Sequence, residues 1–238
     1  MITKTEIKLI KNLNSKKFRY LNKMFIVEGK KNVNELLKSN FKIKFLFATQ
    51  DWIDSKIFKR DIKKVSQLEL KKISNQKNPE QVLAVVEFKN QILNNKSSVL
   101  VLDQINDPGN FGSIIRTCDW FGVKSIVCSP KSVDMYNPKV IQSSMGSFFR
   151  VNIIYKDLTI YLSKVKGKIF GSFLNGTEMK IDNFPKKFHL VMGNESNGIS
   201  DEIKSLITEK LTIKNIGKKA DSLNVASATS ILLYEMTA

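Results

Sequence analysis

VLVLDQINDPGNFGSIIRTCDWFGVKSIVC, residues 99–128, decides the fold. Its first four residues are a short apolar run of valine and leucine, which predicts a buried strand. Asn106, Asp107, Pro108, Gly109 and Asn110 then cluster turn-forming residues. Ile114, Ile115, Cys118 and Phe121 recur at helical spacing until Gly122 ends the helix, and a second strand follows at 125–128. Strand, crossover helix and strand within about thirty residues make a βαβ unit. Its loop lies at the carboxyl end of the first strand and meets a helix N-terminus, a place that binds anions and cofactors. Arg116 stands about two turns into that helix.

The 238 residues are 42% hydrophobic, enough for one large core or two small ones. Lysine supplies nearly all the basic residues; only Arg19, Arg60, Arg116 and Arg150 are arginines, so part of the +17 net charge reads as compositional background. Its distribution is more telling. Residues 1–96 carry 22 Lys+Arg against 9 Asp+Glu, and residues 97–238 carry 17 against 13. A field concentrated on the N-terminal part favours a polyanion partner, most often nucleic acid, over a merely well-solvated lysine surface. Two cysteines make no disulfide framework, and a reducing cytoplasm is the expected home. The charged start MITKTEIKLIKNLNSKK lacks an apolar core and no stretch approaches 18 apolar residues, so neither export nor a membrane span is expected. One His and two Cys are too few for a zinc site of the usual kind, so no metal is expected. His189 lies in the apolar run FHLVM (188–192) and reads as a strand residue rather than a catalytic base.

Organisation along the chain is α/β throughout. A basic helix over 4–23 leads into strands at 25–28, 43–48 and 82–87, with a helix at 33–39 and lysine-rich helix up to 68–73. Polar, asparagine-rich residues 91–98 form the linker, so the domains are 1–93, a small basic α/β module, and 97–238. In the second, helices are predicted at 137–149, entered through Pro138, at 157–166, from Ser200 to 207 and at 225–236. Strands fall at 168–174, 188–192 and 211–213. Strands alternating with helices imply a mostly parallel sheet with helices on both faces.

Three strand-to-helix loops carry the chemistry. The first is in the opening stretch. A second, GNESNGIS (193–200), has two glycines that allow close backbone approach and a carboxylate, Glu195, beside exposed amides. The third, IKNIGKKADSLNV (213–225), enters a helix that begins with the small residues Ala226, Ser227 and Ala228. Neither a G-x-G-x-x-G dinucleotide fingerprint nor a G-x-x-x-x-G-K phosphate loop is present, which argues against a nucleotide-cofactor oxidoreductase.

Taken together and in this order, DPGNFG with IIRT (107–117), GNESNGI (193–199) and SLNVA (222–226) resemble the three signature motifs of the SpoU family of RNA ribose 2'-O-methyltransferases. The resemblance covers residue 97 to the end, and FIVEGK (25–30) and NPEQVLAV (78–85) look like that family's substrate-binding domain. It implies a methyltransferase domain with a deep trefoil knot, S-adenosyl-L-methionine held in the knot loops, and a homodimer with its active site near the interface. Structured RNA is the implied substrate, ribosomal RNA preferred and transfer RNA open. A catalytically inactive RNA-binding or ribosome-assembly protein on the same fold is the rival.

Residue by residue, the resemblance makes Asn110, Arg116, Glu195, Ser222 and Asn224 the catalytic pocket, with Arg116 either a phosphate clamp or the proton acceptor. It places Leu174, Gly193, Glu195, Gly198, Ile213, Ile216, Leu223 and Asn224 at the cofactor. One departure stands out: family members commonly have Pro soon after the position of Ile213, where this chain has Lys214 and Asn215. Read singly, Asn110 and Asn224 are equally helix caps and Arg116 a solvent-facing residue. Cys118 and Cys128, in apolar stretches without an activating base, read as structural rather than as thiol nucleophiles.

Overall fold

Two sheets hold the strands of the computed structural model, which describes residues 2–55, 61–93, 97–178, 184–217 and 219–237. The chain divides into two units, Met1–Asn90 with Asp134–Phe149, and Gln91–Val133 with Arg150–Ala238.

The first unit contains α1 (Lys4–Asn12), α2 (Lys16–Asn22), β1 (Met24–Glu28), α3 (Lys30–Leu37), β2 (Ile43–Ala48), α4 (Gln50–Asp54), β3 (Lys63–Lys64), α5 (Gln67–Ile73) and β4 (Val82–Glu87). The single basic helix expected over 4–23 is two helices, because Leu13 ends one and Ser15 starts the next. Thr3 and Ser66 close capping boxes with Glu6 and Glu69, which fixes the starts of α1 and α5. The strand order is β1-β4-β2-β3, with β4 antiparallel to β1 and β2, and β3 parallel to β2. Ile10, Leu13, Ile26, Phe47, Leu70 and Leu83 pack its core.

The βαβ unit of the sequence forms β5 (Val99–Leu102), α6 (Pro108–Trp120) and β6 (Ser125–Cys128). Residues 134–149 follow and group with the first unit, although sequence alone runs them on with the second part. Buried polar and aromatic side chains are the reason. Arg19 donates from Nε (3.0 Å) and Nη2 (2.6 Å) to Asp134 Oδ2, and the Tyr20 hydroxyl donates to Asp134 Oδ1 at 3.1 Å. Tyr136 stacks on Phe88 with centroids 3.7 Å apart, and Phe148 meets Phe25 edge-on. In place of one helix over 137–149 there is α7 (Pro138–Ser143) and a 3₁₀ turn at Ser147–Phe149. Met145 and Gly146 between them have φ of 52° and 93°, which breaks the helix. A Cβ on Gly146 would lie 2.5 Å from Glu35 Cγ, so the close approach there requires glycine.

The second unit continues with β7 (Asn152–Tyr155), α8 (Leu158–Leu162), β8 (Ile169–Glu178), β9 (His189–Met192), α9 (Asp201–Lys204), β10 (Glu209–Thr212) and α10 (Val225–Thr237). The six strands run in the order β10-β8-β9-β5-β6-β7 and every pairing is parallel. Val99, Val101, Val127 and Val191 pack with Leu158, Leu162 and Ile203 of α8 and α9. Leu100 and Leu102 point the other way and are also fully buried, so the sheet is covered on both faces, as the apolar strands predict. β7 was not foreseen; it is a four-residue edge strand. β8 runs past residues 175–176 because, beyond a bulge, its outer half pairs Thr177 and Glu178 with Leu211 and Thr212.

His189 is a strand residue at the amino end of β9, its Nε2 3.0 Å from the Tyr161 hydroxyl, and burial lowers its pKa. Cys118 and Cys128 are buried and free, and burial pushes both thiols well up, away from nucleophilic use. Among the described residues no helix is long and apolar enough to cross a membrane.

Candidate active site

The site grows from the start of α6. Of the turn-formers expected in a loop, Asn106 lies in it and Pro108, Gly109 and Asn110 belong to the helix: Asp107 is the N-cap, its side chain accepting from Asn110 N at 2.7 Å, and Pro108 takes the first turn. Asp107 being the cap leaves the Asn110 side chain free. Its Nδ2 donates to Glu195 Oε1 at 2.9 Å and its Oδ1 accepts from Asn224 Nδ2 at 2.9 Å. Asn224 Oδ1 in turn accepts from Ala226 N (3.0 Å) and Ser227 N (3.3 Å) at the start of α10.

These contacts orient one another. The α10 amides require the Asn224 carbonyl, which turns its NH2 towards Asn110, and that presents the Asn110 NH2 to the carboxylate. Asn224 is therefore both a helix cap and a link in the site. One relay joins the three loops that the motifs occupy. α6 also packs on α10 through Thr117 Oγ1 and Ser230 Oγ, 3.0 Å apart.

The loop bearing Glu195 is fixed from below by residues that sequence reasoning did not assign. Asp103 at the end of β5 is 3% exposed and accepts from Ser200 N at 2.8 Å. Asn194 donates to the Gln104 carbonyl at 2.8 Å, accepts from Ser196 N and Asn197 N, and bridges Gly198 through paired backbone bonds. Gln104 holds φ of 58° with its N–H on Ser129 Oγ. A Cβ on Gly193 would come within 2.2 Å of the Gly198 backbone, so only glycine lets this loop close. The available signal was an acid ending a wholly apolar strand, which has to find a donor when buried.

Arg116 is exposed on α6 and makes no hydrogen bond or ion pair with a described residue. Ser222 is exposed and stands outside the relay. Leu174, Ile216 and Leu223 are 73%, 83% and 50% exposed, large apolar side chains left uncovered on segments of β8 and after β10. Ile213 is half-buried directly after β10. Beyond Ile213, where the resemblance implies proline, Asn215 Nδ2 donates to Ala220 O at 2.8 Å. Among the described residues no group of three or more His, Cys, Asp or Glu is placed to hold a metal ion.

Residues 97–234 match the SpoU rRNA Methylase family and residues 4–84 the MRM3-like substrate binding domain. The chain belongs to the SpoU rRNA methylase family, whose cofactor is S-adenosylmethionine, and it is a methyltransferase of that family. It is 29% identical, over 97% of its length and 95% of the relative's, to the 23S rRNA (guanosine(2553)-2'-O)-methyltransferase RlmP of Bacillus subtilis (strain 168). The AdoMet-bound rRNA methyltransferase from Sinorhizobium meliloti is 27% identical with a TM-score of 0.84, over 99% of this chain and 96% of that one. AviRb from Streptomyces viridochromogenes, in complex with AdoMet, is 22% identical with a TM-score of 0.85, over 99% and 97%, and is a likeness of fold.

Proposed function

We propose that this protein transfers the methyl group of S-adenosylmethionine to a ribose 2'-hydroxyl of structured RNA, ribosomal RNA in preference to transfer RNA. The observation that carries this reading is the Asn224–Asn110–Glu195 relay across three loops, with Arg116 uncommitted on the same helix as Asn110. The residues present suit the cofactor: Leu174, Ile216 and Leu223 offer uncovered apolar surface to an adenosine, and the motifs assign Gly193, Gly198 and Ile213 to it as well. When bound, it supplies a methyl on positively charged sulfur, an electrophile that needs no further activation. The task left to the protein is to align the hydroxyl and remove its proton. Alignment can contribute about 7 to 11 kcal/mol, a positioned base about 10²- to 10⁴-fold in rate.

Arginine is effectively always protonated, so Arg116 is assigned to the phosphate beside the reacting ribose. Glu195 Oε1 is held by Asn110, which leaves Oε2 to take the hydroxyl proton, and Ser222 shapes the pocket rim. Glu195→Gln is expected to keep S-adenosylmethionine affinity and lower kcat about 10²-fold; single-turnover rates beside calorimetry check this, and an unchanged rate would remove Glu195 from the proton path.

The exposed lysines of α1 and α2, Lys4, Lys8, Lys11, Lys16 and Lys17, support RNA capture by the basic N-terminal module, with affinity falling steeply as salt rises. A homodimer belongs to the same reading. Trp120 of α6 is 83% exposed, and Ile231 and Tyr234 of α10 are 39% and 59% exposed, apolar side chains on two packed helices that a second copy would cover. Trp120→Glu is expected to shift the chain to monomer in light scattering; a dimer that persists unchanged would place the interface elsewhere. The trefoil knot, the domain limits of 1–93 and 97–238, and a cytoplasmic home are part of this proposal, the last supported by two unpaired buried cysteines.

A further inference from the structure

We propose that a groove in the first unit reads an unpaired base of the RNA, adenine by its donor and acceptor pattern; this rests on the RNA substrate proposed above. Because β4 runs antiparallel between β1 and β2, and β3 is parallel to β2, the strands β1, β2 and β3 all point the same way. The crevice outside the carboxyl ends of such strands is where open α/β sheets bind ligands. Here it is a cavity of about 1040 Å³ lined by Lys30 after β1, Thr49 and Gln50 after β2, Lys64 at the end of β3, Gln67 at the start of α5 and Gln81 just before β4.

Two features of this lining point to a missing partner. Thr49 is 8% exposed, yet its hydroxyl oxygen is buried with no hydrogen-bond partner among the described residues, and it does not cap α4 although Thr49 occupies the cap position. A buried hydroxyl left unsatisfied is costly and calls for an explanation. Gln81 is a non-glycine residue at φ of 44°, held there by Thr49 N on its carbonyl at 2.9 Å and by the Val82 N–H to Glu80 O contact. Backbone strain of this kind persists where the surroundings impose it, often at ligand contacts. The other two amides are partly engaged, Gln50 with Asp54 and Gln67 with the Pro79 carbonyl. The Gln81 side chain makes no hydrogen bond with a described residue.

The charge balance selects the base over the phosphate. Asp51, Glu69 and Glu80 also line the groove and offset Lys30 and Lys64. Glu80 already accepts from Lys30 N at 3.1 Å at the start of α3. A mixed field with one free amide and one orphan hydroxyl is poor at holding a bare phosphate and well suited to a base edge. A free Gln amide pairs bidentately with adenine N6 and N7, and unpaired bases are the part of RNA that proteins read in sequence.

The test uses the full-length protein and fluorescent single-stranded rA8 and rU8. The wild type is expected to bind rA8 at least about fivefold tighter than rU8. Gln81→Ala and Thr49→Val are each expected to bring the two within about twofold. Thr49→Val should unfold at the same temperature or higher, since it removes a buried unsatisfied group; a merely structural hydroxyl would lower it. Equal binding of rA8 and rU8 by the wild type, or a preference untouched in both variants, overturns the proposal. A wild type that prefers rA8 but methylates no RNA supports the groove and contradicts the function proposed above; one that methylates RNA but binds both oligomers alike does the reverse.

Discussion

Arg116→Ala is expected to lower kcat about 10³-fold while leaving S-adenosylmethionine affinity within about twofold. The reasoning is one of commitment: Arg116 is exposed on the helix that carries Asn110 and makes no hydrogen bond or ion pair with a described residue, so its guanidinium serves no internal partner. A preorganised charged donor aimed at the reacting group contributes about 10²- to 10³-fold in kcat when single donors are removed, and loss of the whole side chain stands at the upper end. Arg116→Lys should recover only part of the rate, because an ammonium cannot reproduce the bidentate fork on a phosphate. Single-turnover kinetics with calorimetry on the same preparations separates chemistry from cofactor binding. Full turnover by a folded Arg116→Lys protein would remove Arg116 from either role the motif allows.

The second large effect concerns stability. Arg19 and Asp134 have side-chain exposures of 3% and 4% and are 2.6 Å apart. Asp134→Ala leaves a buried guanidinium without its counter-charge and the Tyr20 hydroxyl without its acceptor, and is expected to cost about 3 to 5 kcal/mol. Replacing Arg19 and Asp134 together with apolar residues of similar volume should recover most of that, since the pair must repay its own desolvation. Urea unfolding measures both. An Asp134→Ala midpoint equal to the wild type's would mean that residues 134–149 are held without the ion pair, by the Tyr136, Phe148 and Phe149 aromatic contacts and the hydrogen bonds that Gln142 accepts from Asn32 and Gln76.

Much of the second unit was legible because its strands are buried on both faces and so read as plain apolar runs: 99–102, 125–128 and 188–192 lie within one residue of β5, β6 and β9. β7 was missed because NIIY at a sheet edge is too short for a pattern to declare itself. The helix that periodicity predicts over 137–149 breaks because Gly146 must approach Glu35, a contact periodicity cannot see. In the site, the motif residues Asn110, Glu195 and Asn224 do meet, and the sequence could not say through which atoms. Asp103 and Asn194 were passed over because their work is to hold backbone: the partners are the Ser200 N–H and the Gln104 carbonyl, which any residue could supply. Segment 134–149 shows the same limit at larger scale. The Arg19–Asp134 pair spans 115 residues, and nothing local in either stretch announces it.

The central claim is methyl transfer to a ribose hydroxyl, and it is tested most directly by incubating the purified protein with S-adenosylmethionine carrying a labelled methyl group and ribosomal RNA, then digesting the RNA to nucleosides. The label is predicted in a single 2'-O-methylated nucleoside, and absent when Arg116→Ala replaces the wild type. Label on a base, or no label from ribosomal or transfer RNA with a protein that binds S-adenosylmethionine, would contradict it.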